Sequence, residues 1–95
     1  MADLILDGIT FESVHIPTAK TNILLVKAAS GFVGCGYFDV TVANRVGDAV
    51  AIVTGVKDID QLLAAPIVRL SDRARELGVT EGMSGRDALK LLQGA

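Results

Sequence analysis

Over residues 1–36 the apolar positions fall in short blocks cut by turn residues, which is the pattern of antiparallel strands. Leu4, Ile5 and Leu6 run into Asp7-Gly8, and Ile9 to Ile16 follow with β-branched and aromatic residues, so residues 3–16 are predicted to form a hairpin. Pro17 has no amide hydrogen to give to a ladder and closes the second strand, leaving Thr18 to Thr21 as the loop. Asn22 to Ala29 is a third strand. It is apolar at both Ile23/Leu25 and Leu24/Val26, which predicts a central strand covered on both faces. Ser30-Gly31 turns the chain into Phe32 to Gly36, the glycine-rich last strand of a second hairpin.

From residue 37 the pattern is mixed. Val40, Thr41 and Val42 favour a strand, whereas Asp39 can cap a short helix ending at Gly47, and pattern alone leaves both open. Ala49 to Thr54, bounded by Asp48 and Gly55, reads as a buried strand. Asp58 caps a short helix through Leu63 that stops before Pro66, and Ile67 to Leu70 is a further strand. Ser71 caps a helix through Leu77 with Gly78 as its stop. Ser84, with Asp87 three positions on, opens a helix to about Leu92 whose inner face carries Leu89 and Leu92. The expected class is α+β: N-terminal antiparallel β hairpins, then a mixed half with short strands and two or three short helices. A chain of 95 residues has room for one core, so residues 1–95 are expected to be a single domain.

Composition changes the picture in one respect. Apolar residues make up 51% of the chain against 21% charged, and the mean hydropathy is +0.49, too apolar for a free monomer with so much surface. Self-association is the simplest way to hide the excess. The outer positions of the first hairpin, taken as Leu4, Leu6, Val14 and Ile16, are too apolar for an edge facing water and are expected at the interface. No apolar run approaches the roughly 20 residues of a membrane span. The opening Met-Ala-Asp-Leu-Ile-Leu-Asp lacks the basic start of a secretion signal, which points to the cytosol and no membrane partner. With 9 basic against 11 acidic residues and no basic cluster beyond Arg73 and Arg75, nucleic-acid binding is not expected.

Three runs stand in a telling order: Cys35-Gly36-Tyr37-Phe38-Asp39-Val40, then Gly55 to Pro66 with Asp60-Gln61-Leu62-Leu63 inside it, then Gly82-Met83-Ser84-Gly85-Arg86-Asp87-Ala88-Leu89. Together they resemble the YunC-like family of small bacterial and archaeal proteins, a domain of unknown function. The resemblance covers nearly the whole chain, and its most specific part is the Gly-Met-Ser-Gly-Arg run preceded at this spacing by Asp-Gln-Leu-Leu. It implies an α+β fold whose N-terminal β region, residues 1–36, serves in oligomerisation as a tetramer, and it implies no activity. Between Asp39 and Val50 this chain is shorter than the better-known members.

The residues with chemistry in them each have a plainer use. Cys35 is the only cysteine, which removes disulfides and cysteine-rich zinc sites. Gly34 and Gly36 would open its backbone to a ligand, and His15 could serve it as a base if the second and fourth strands face each other. Asp39 is the third residue in that nucleophile set. The plainer use is a buried thiol packed as a small hydrophobe, His15 as a hydrogen-bonded histidine and Asp39, like Asp58 and Asp60, as a cap. Phe32, Tyr37 and Phe38 fit an interface or core better than a base-stacking platform. No metal site is expected from scattered aspartates, and no cofactor is called for. The most suggestive polar segment is Gly82, Ser84, Gly85 and Arg86, where glycines, free amides at a helix start and a guanidinium would suit a small anion; plain capping by Ser84 and Asp87 competes for the same donors.

Two functions from different classes follow. One is a cytosolic homo-oligomer, a non-enzymatic scaffold or binding module whose β half forms the subunit interface. The alternative is a small enzyme or ligand-binding protein with a site between subunits, built from Cys35, His15 or Asp39 with the Gly82–Arg86 turn.

Overall fold

The structure is a computed structural model and describes residues 2–94. Four strands, β1 (Ala2–Leu6), β2 (Ile9–Pro17), β3 (Asn22–Lys27) and β4 (Gly31–Gly34), run up and down as an antiparallel meander. Helix α1 (Val40–Val46) then crosses over the sheet to β5 (Ala49–Ile52), which lies parallel to β4. Helix α2 (Ile59–Ala64), β6 (Arg69–Leu70) antiparallel to β5, α3 (Asp72–Glu76) and α4 (Gly85–Gln93) complete the chain. All six strands form one sheet in sequential order, β1 to β6. The class is α+β, with hairpins first and the mixed half after.

The first turn follows its sequence. Asp7 at φ 52° and Gly8 at φ 79° are both left-handed, the backbone of a two-residue hairpin whose twist matches the flanking strands. That turn pairs Leu6 with Ile9 and Leu4 with Phe11. Side chains alternate along a strand, so Leu4, Leu6 and Phe11 share one face while Ile5, Val14 and Ile16 share the other. Leu6 and Phe11 are buried in the core and Leu4 packs against it. Leu4 and Leu6 are therefore not outer positions, and the outward apolar set is Ile5, Val14 and Ile16. The cause is parity: the register set by the Asp-Gly turn puts Val14 and Ile16 on the face of Ile5, opposite that of Leu4 and Leu6.

The segment that pattern left open is a helix. The Asp39 carboxylate accepts from the Thr41 amide at 2.8 Å, and Gly47 at φ 83° ends the helix with its amide on the Ala43 carbonyl. A parallel neighbour for β4 needs a crossover, and this context overrides the strand preference of Val40 to Val42.

The two faces of the sheet are covered unequally. On one, α2, α3 and α4 bring Leu62, Leu63, Ala74, Leu89 and Leu92 onto Leu24, Val26, Val33, Ala51 and Val53. On the other, α1 sets Ala43 on Val50 and Ile52, with Phe32, Phe38 and Val40 packed around them. That helix covers β4 and β5 only. Central strand β3 is accordingly closed on its Leu24/Val26 side and half-open on its Ile23/Leu25 side, not covered on both. Beside it β1 and β2 have no helix over this second face.

Close packing in the later half depends on two particular residues. A Cβ on Gly85 would overlap the Leu62 carbonyl oxygen, so the start of α4 meets α2 backbone to backbone. The fully buried Ser71 hydroxyl donates to the Asp48 carbonyl at 2.8 Å and accepts from the Val50 amide at 2.9 Å and the Ala74 amide at 3.3 Å. It caps α3 and closes β5 with a single oxygen.

Candidate functional site

Parallel strands β4 and β5 end side by side, and their exits frame a cavity of about 260 Å³. One wall is Cys35, Gly36 and Tyr37, where the chain leaves β4 for α1. Gly55, Val56 and Lys57 form the facing wall on the way from β5 to α2. Thr21 and Asn22, where the β2–β3 turn enters β3, close the third side.

Cys35 lies in the floor, 5% exposed. Its Sγ accepts from the Leu24 amide at 3.4 Å and its thiol donates to the Asn22 carbonyl at 3.9 Å. The sulfur is thus engaged by the neighbouring strand on both sides, a packing role more than a poised nucleophile. His15 does not line this cavity. It is exposed on β2, two strands away, with Nε2 2.7 Å from Asn22 Oδ1. Asp39 is the α1 cap described above. The Thr41 amide hydrogen bond, with the Thr41 side chain adding to it, holds its carboxyl below the ordinary carboxylate range. Cys35 and His15 thus both reach Asn22, one through its carbonyl and the other through its side-chain oxygen, while Asp39 stands apart as a cap.

The Gly82–Arg86 segment lies elsewhere and contributes nothing to that cavity. Ser84 Oγ accepts from the Asp87 amide at 3.1 Å, and the Gly85 amide donates to the Ala65 carbonyl at 3.0 Å. Gly82, at φ 90°, donates to the Ile67 carbonyl at 2.8 Å. Of the amides that an anion would need, those of Gly82, Gly85 and Asp87 are already spent. Arg86 extends to Asp7 in the β1–β2 turn, 4.0 Å away, and Lys90 reaches the same carboxylate at 2.6 Å. The Lys90 hydrogen bond first, its charge second and the Arg86 charge last hold Asp7 below the ordinary carboxylate range against a small opposing desolvation. That turn is at the end of β2 opposite the cavity. The segment serves as a cap, a helix joint and a seam to the hairpin.

The second site is a surface. Val14 pairs with Leu25 and Ile16 with Ile23 across β2 and β3, while Ile5 on β1 faces the same way further down the sheet, paired with Thr10. Ile5 is 68% exposed and Ile16 51%, large values for isoleucine on a strand. Between Ile5 and the Val14–Leu25 pair, Asp3 pairs with Glu12 and Glu12 with Lys27, so a row with both signs of charge crosses the face. Among the described residues none of these three makes an ion pair.

Sequence reasoning passed over Thr21, Asn22, Val56 and Lys57. Each looks like ordinary loop, and only the β4–β5 pairing brings them to one cavity. A usable signal was present: two strand-to-helix exits, each with a glycine just past the strand and an aspartate cap, at Gly36…Asp39 and Gly55…Asp58. Among the described residues no group of three or more His, Cys, Asp or Glu side chains is placed to hold a metal ion. Nor does any helix have the length and apolarity to cross a membrane.

Comparison with known proteins reaches the same fold and no activity. Residues 34–92 match the family described as domain of unknown function (DUF1805). The chain is 36% identical over 93 residues to the uncharacterized protein YunC of Bacillus subtilis (strain 168), covering 94% of this chain and 92% of that one. It superposes on the crystal structure of a protein of unknown function, TA1206 from Thermoplasma acidophilum, with a TM-score of 0.90 at 27% identity, covering 96% of this chain and 89% of the other. The three runs that resembled the YunC-like proteins are thus carried on a chain that belongs to that family, the DUF1805 proteins of unknown function.

Proposed function

We propose that the protein is a homo-oligomeric, non-enzymatic scaffold or binding module, assembled through the outer face of β1, β2 and β3. The observation that carries this is the uncovered apolar patch of Val14, Ile16, Ile23 and Leu25, with Ile5 beyond the charged row on the same face, next to strands whose same face α1 does cover. The occupant is a second copy of the chain. A two-fold interface is self-complementary, and this face supplies acids at Asp3 and Glu12 with a base at Lys27, all without partners in the chain among the described residues. The assembly we assign is a tetramer, which as a closed symmetric body uses two self-complementary contacts. The sheet face is one; exposed Val42 and Val46 on α1 offer the second. A reducing cytosol suits the free, buried thiol of Cys35.

Light scattering at micromolar concentration is expected to report close to four times the 9.9 kDa chain mass. Ile16→Lys is expected to lower that mass while the circular dichroism stays native, because position 16 is half exposed on the sheet face away from Leu24 and Val26. A monomer at that concentration, or an Ile16→Lys variant of unchanged mass, overturns the proposal.

A further inference from the structure

We infer that the cavity at the ends of β4 and β5 is a binding site for a small molecule bearing a phosphate or carboxylate group. The first support is topological. β4 and β5 are adjacent and parallel, and the helices that follow them leave to opposite faces: α1 onto Val50 and Ile52, α2 into the core beside Leu24. Diverging exits necessarily open a crevice beyond the carboxyl ends of the two strands, which is where open sheets with parallel strands bind ligands. The cavity of about 260 Å³ stands in that crevice.

The chemistry of the walls points to an anion. Among the described residues the amides of Gly36, Tyr37, Gly55 and Val56 donate to no acceptor, although the loops around them are otherwise bonded: Phe38 to the Cys35 carbonyl, Val53 to the Gly34 carbonyl and Lys57 to Gln61 Oε1. These four donors belong to the two walls that face each other. Lys57 adds a full positive charge, and among the described residues it has no ion-pair partner. No carboxylate lines the cavity. The nearest in sequence, Asp58, is turned away to accept from the Gln61 amide at 2.8 Å. In a chain of net charge −2 this is a local reversal of sign. Gly55, at φ 72°, carries no Cβ, and one placed there would meet nothing within 4 Å, so its backbone is open to an approaching group. Amides without acceptors on two facing loops, beside a lysine, are donors of the kind that hold oxyanions. The size limits the occupant: the cavity is below the roughly 300–1,000 Å³ of drug-sized pockets, which selects a small metabolite.

This inference is independent of the assembly proposed above, since every wall comes from one chain. Its test is amide NMR of the deuterated full chain, titrated separately with inorganic phosphate and with acetate. Saturable shifts of the Gly36, Tyr37, Gly55 and Val56 amides are expected, with Lys57→Gln weakening the fitted affinity about tenfold. Arg86→Gln, at the other end of the sheet, is expected to leave it unchanged. Response to phosphate alone assigns a phosphate-bearing ligand; response to acetate alone assigns a carboxylate. The inference is overturned if neither anion gives saturable shifts at those amides, or if Lys57→Gln binds as well as the parent chain while its remaining spectrum stays native.

Discussion

The meander β1–β3 and the half from β4 to α4 are built from similarly apolar sequence, yet one is finished within the chain and the other is not. In the later half both faces of β4 and β5 are closed by helices, α1, α2 and α3 start at side-chain caps on Asp39, Asp58 and Ser71, and α2 and α4 touch through backbone at Gly85. The meander closes one face only and leaves isoleucines in the open on the other. The family match, residues 34–92, covers most of the finished half, from the last residue of β4 into the last turn of α4. The difference teaches where each half takes its stability within the chain: one from packing on both sheet faces, the other from a single covered face, to which the proposed assembly would add the second.

The sharpest way to break this comparison is to attack each half where it is most committed. Gly85→Val places a side chain against the Leu62 carbonyl oxygen, and the helix joint cannot open without uncovering Leu89 and Leu92. We expect a loss of about 3 kcal/mol or more, read as the midpoint of denaturant unfolding. The matching change in the meander, Ile16→Lys, is expected to cost assembly and not fold. If Gly85→Val unfolds no more easily than Ile16→Lys, the two halves do not differ in the way described.

What the sequence made legible divides along the same line. Turns and caps are local chemistry, and Asp7-Gly8, Asp58, Ser71 and Ser84 all act where the sequence places them. Non-local facts were not legible. Whether Val40 to Val46 is a helix depends on the parallel pairing of β4 with β5, and whether Leu4 faces inward depends on the register that the Asp-Gly turn imposes. The cavity is less legible still, because its three sides come from parts of the chain that meet only in the sheet. Gly82–Arg86 misleads for the opposite reason: its local signs of an anion site are genuine, and Ala65, Ile67 and Asp7 satisfy them from a distance.

A smaller effect sharpens the comparison inside the finished half. Ser71→Ala removes one oxygen that serves three partners and leaves the buried Val50 amide without its acceptor. The cost should be about 1–3 kcal/mol. Hydrogen exchange should show it at β5 and α3 and not at β1 or β2, because the hydroxyl's partners are Asp48, Val50 and Ala74, none of them in the meander. Faster exchange spread evenly over all six strands would mean that the halves open together, and the comparison would lose its basis.

The smallest expected effect lies on the seam where α4 is tied to the first hairpin. Asp7 receives Arg86 from the first turn of the helix and Lys90 from its last, while the C-terminal end also holds the β3–β4 turn through the Ala29 amide on Gln93 Oε1 and the Ser30 amide on the Leu92 carbonyl. The Asp7 carboxyl sits below its ordinary value of 3.8, so its folded form binds its proton less readily than its unfolded form. A lowered carboxylate contributes stability that is fully present above the unfolded value and is lost as pH falls through the folded one. Asp7→Asn isolates this contribution, since asparagine tolerates the left-handed backbone at φ 52° and keeps the turn. The variant is expected to melt slightly below the parent chain at about pH 6, with the gap closing as pH falls toward about 3. The pair is exposed, so added salt should narrow the gap as well. A gap that persists unchanged at low pH would assign the effect to turn geometry, and the helix would then be joined to the meander by its Gln93 end alone.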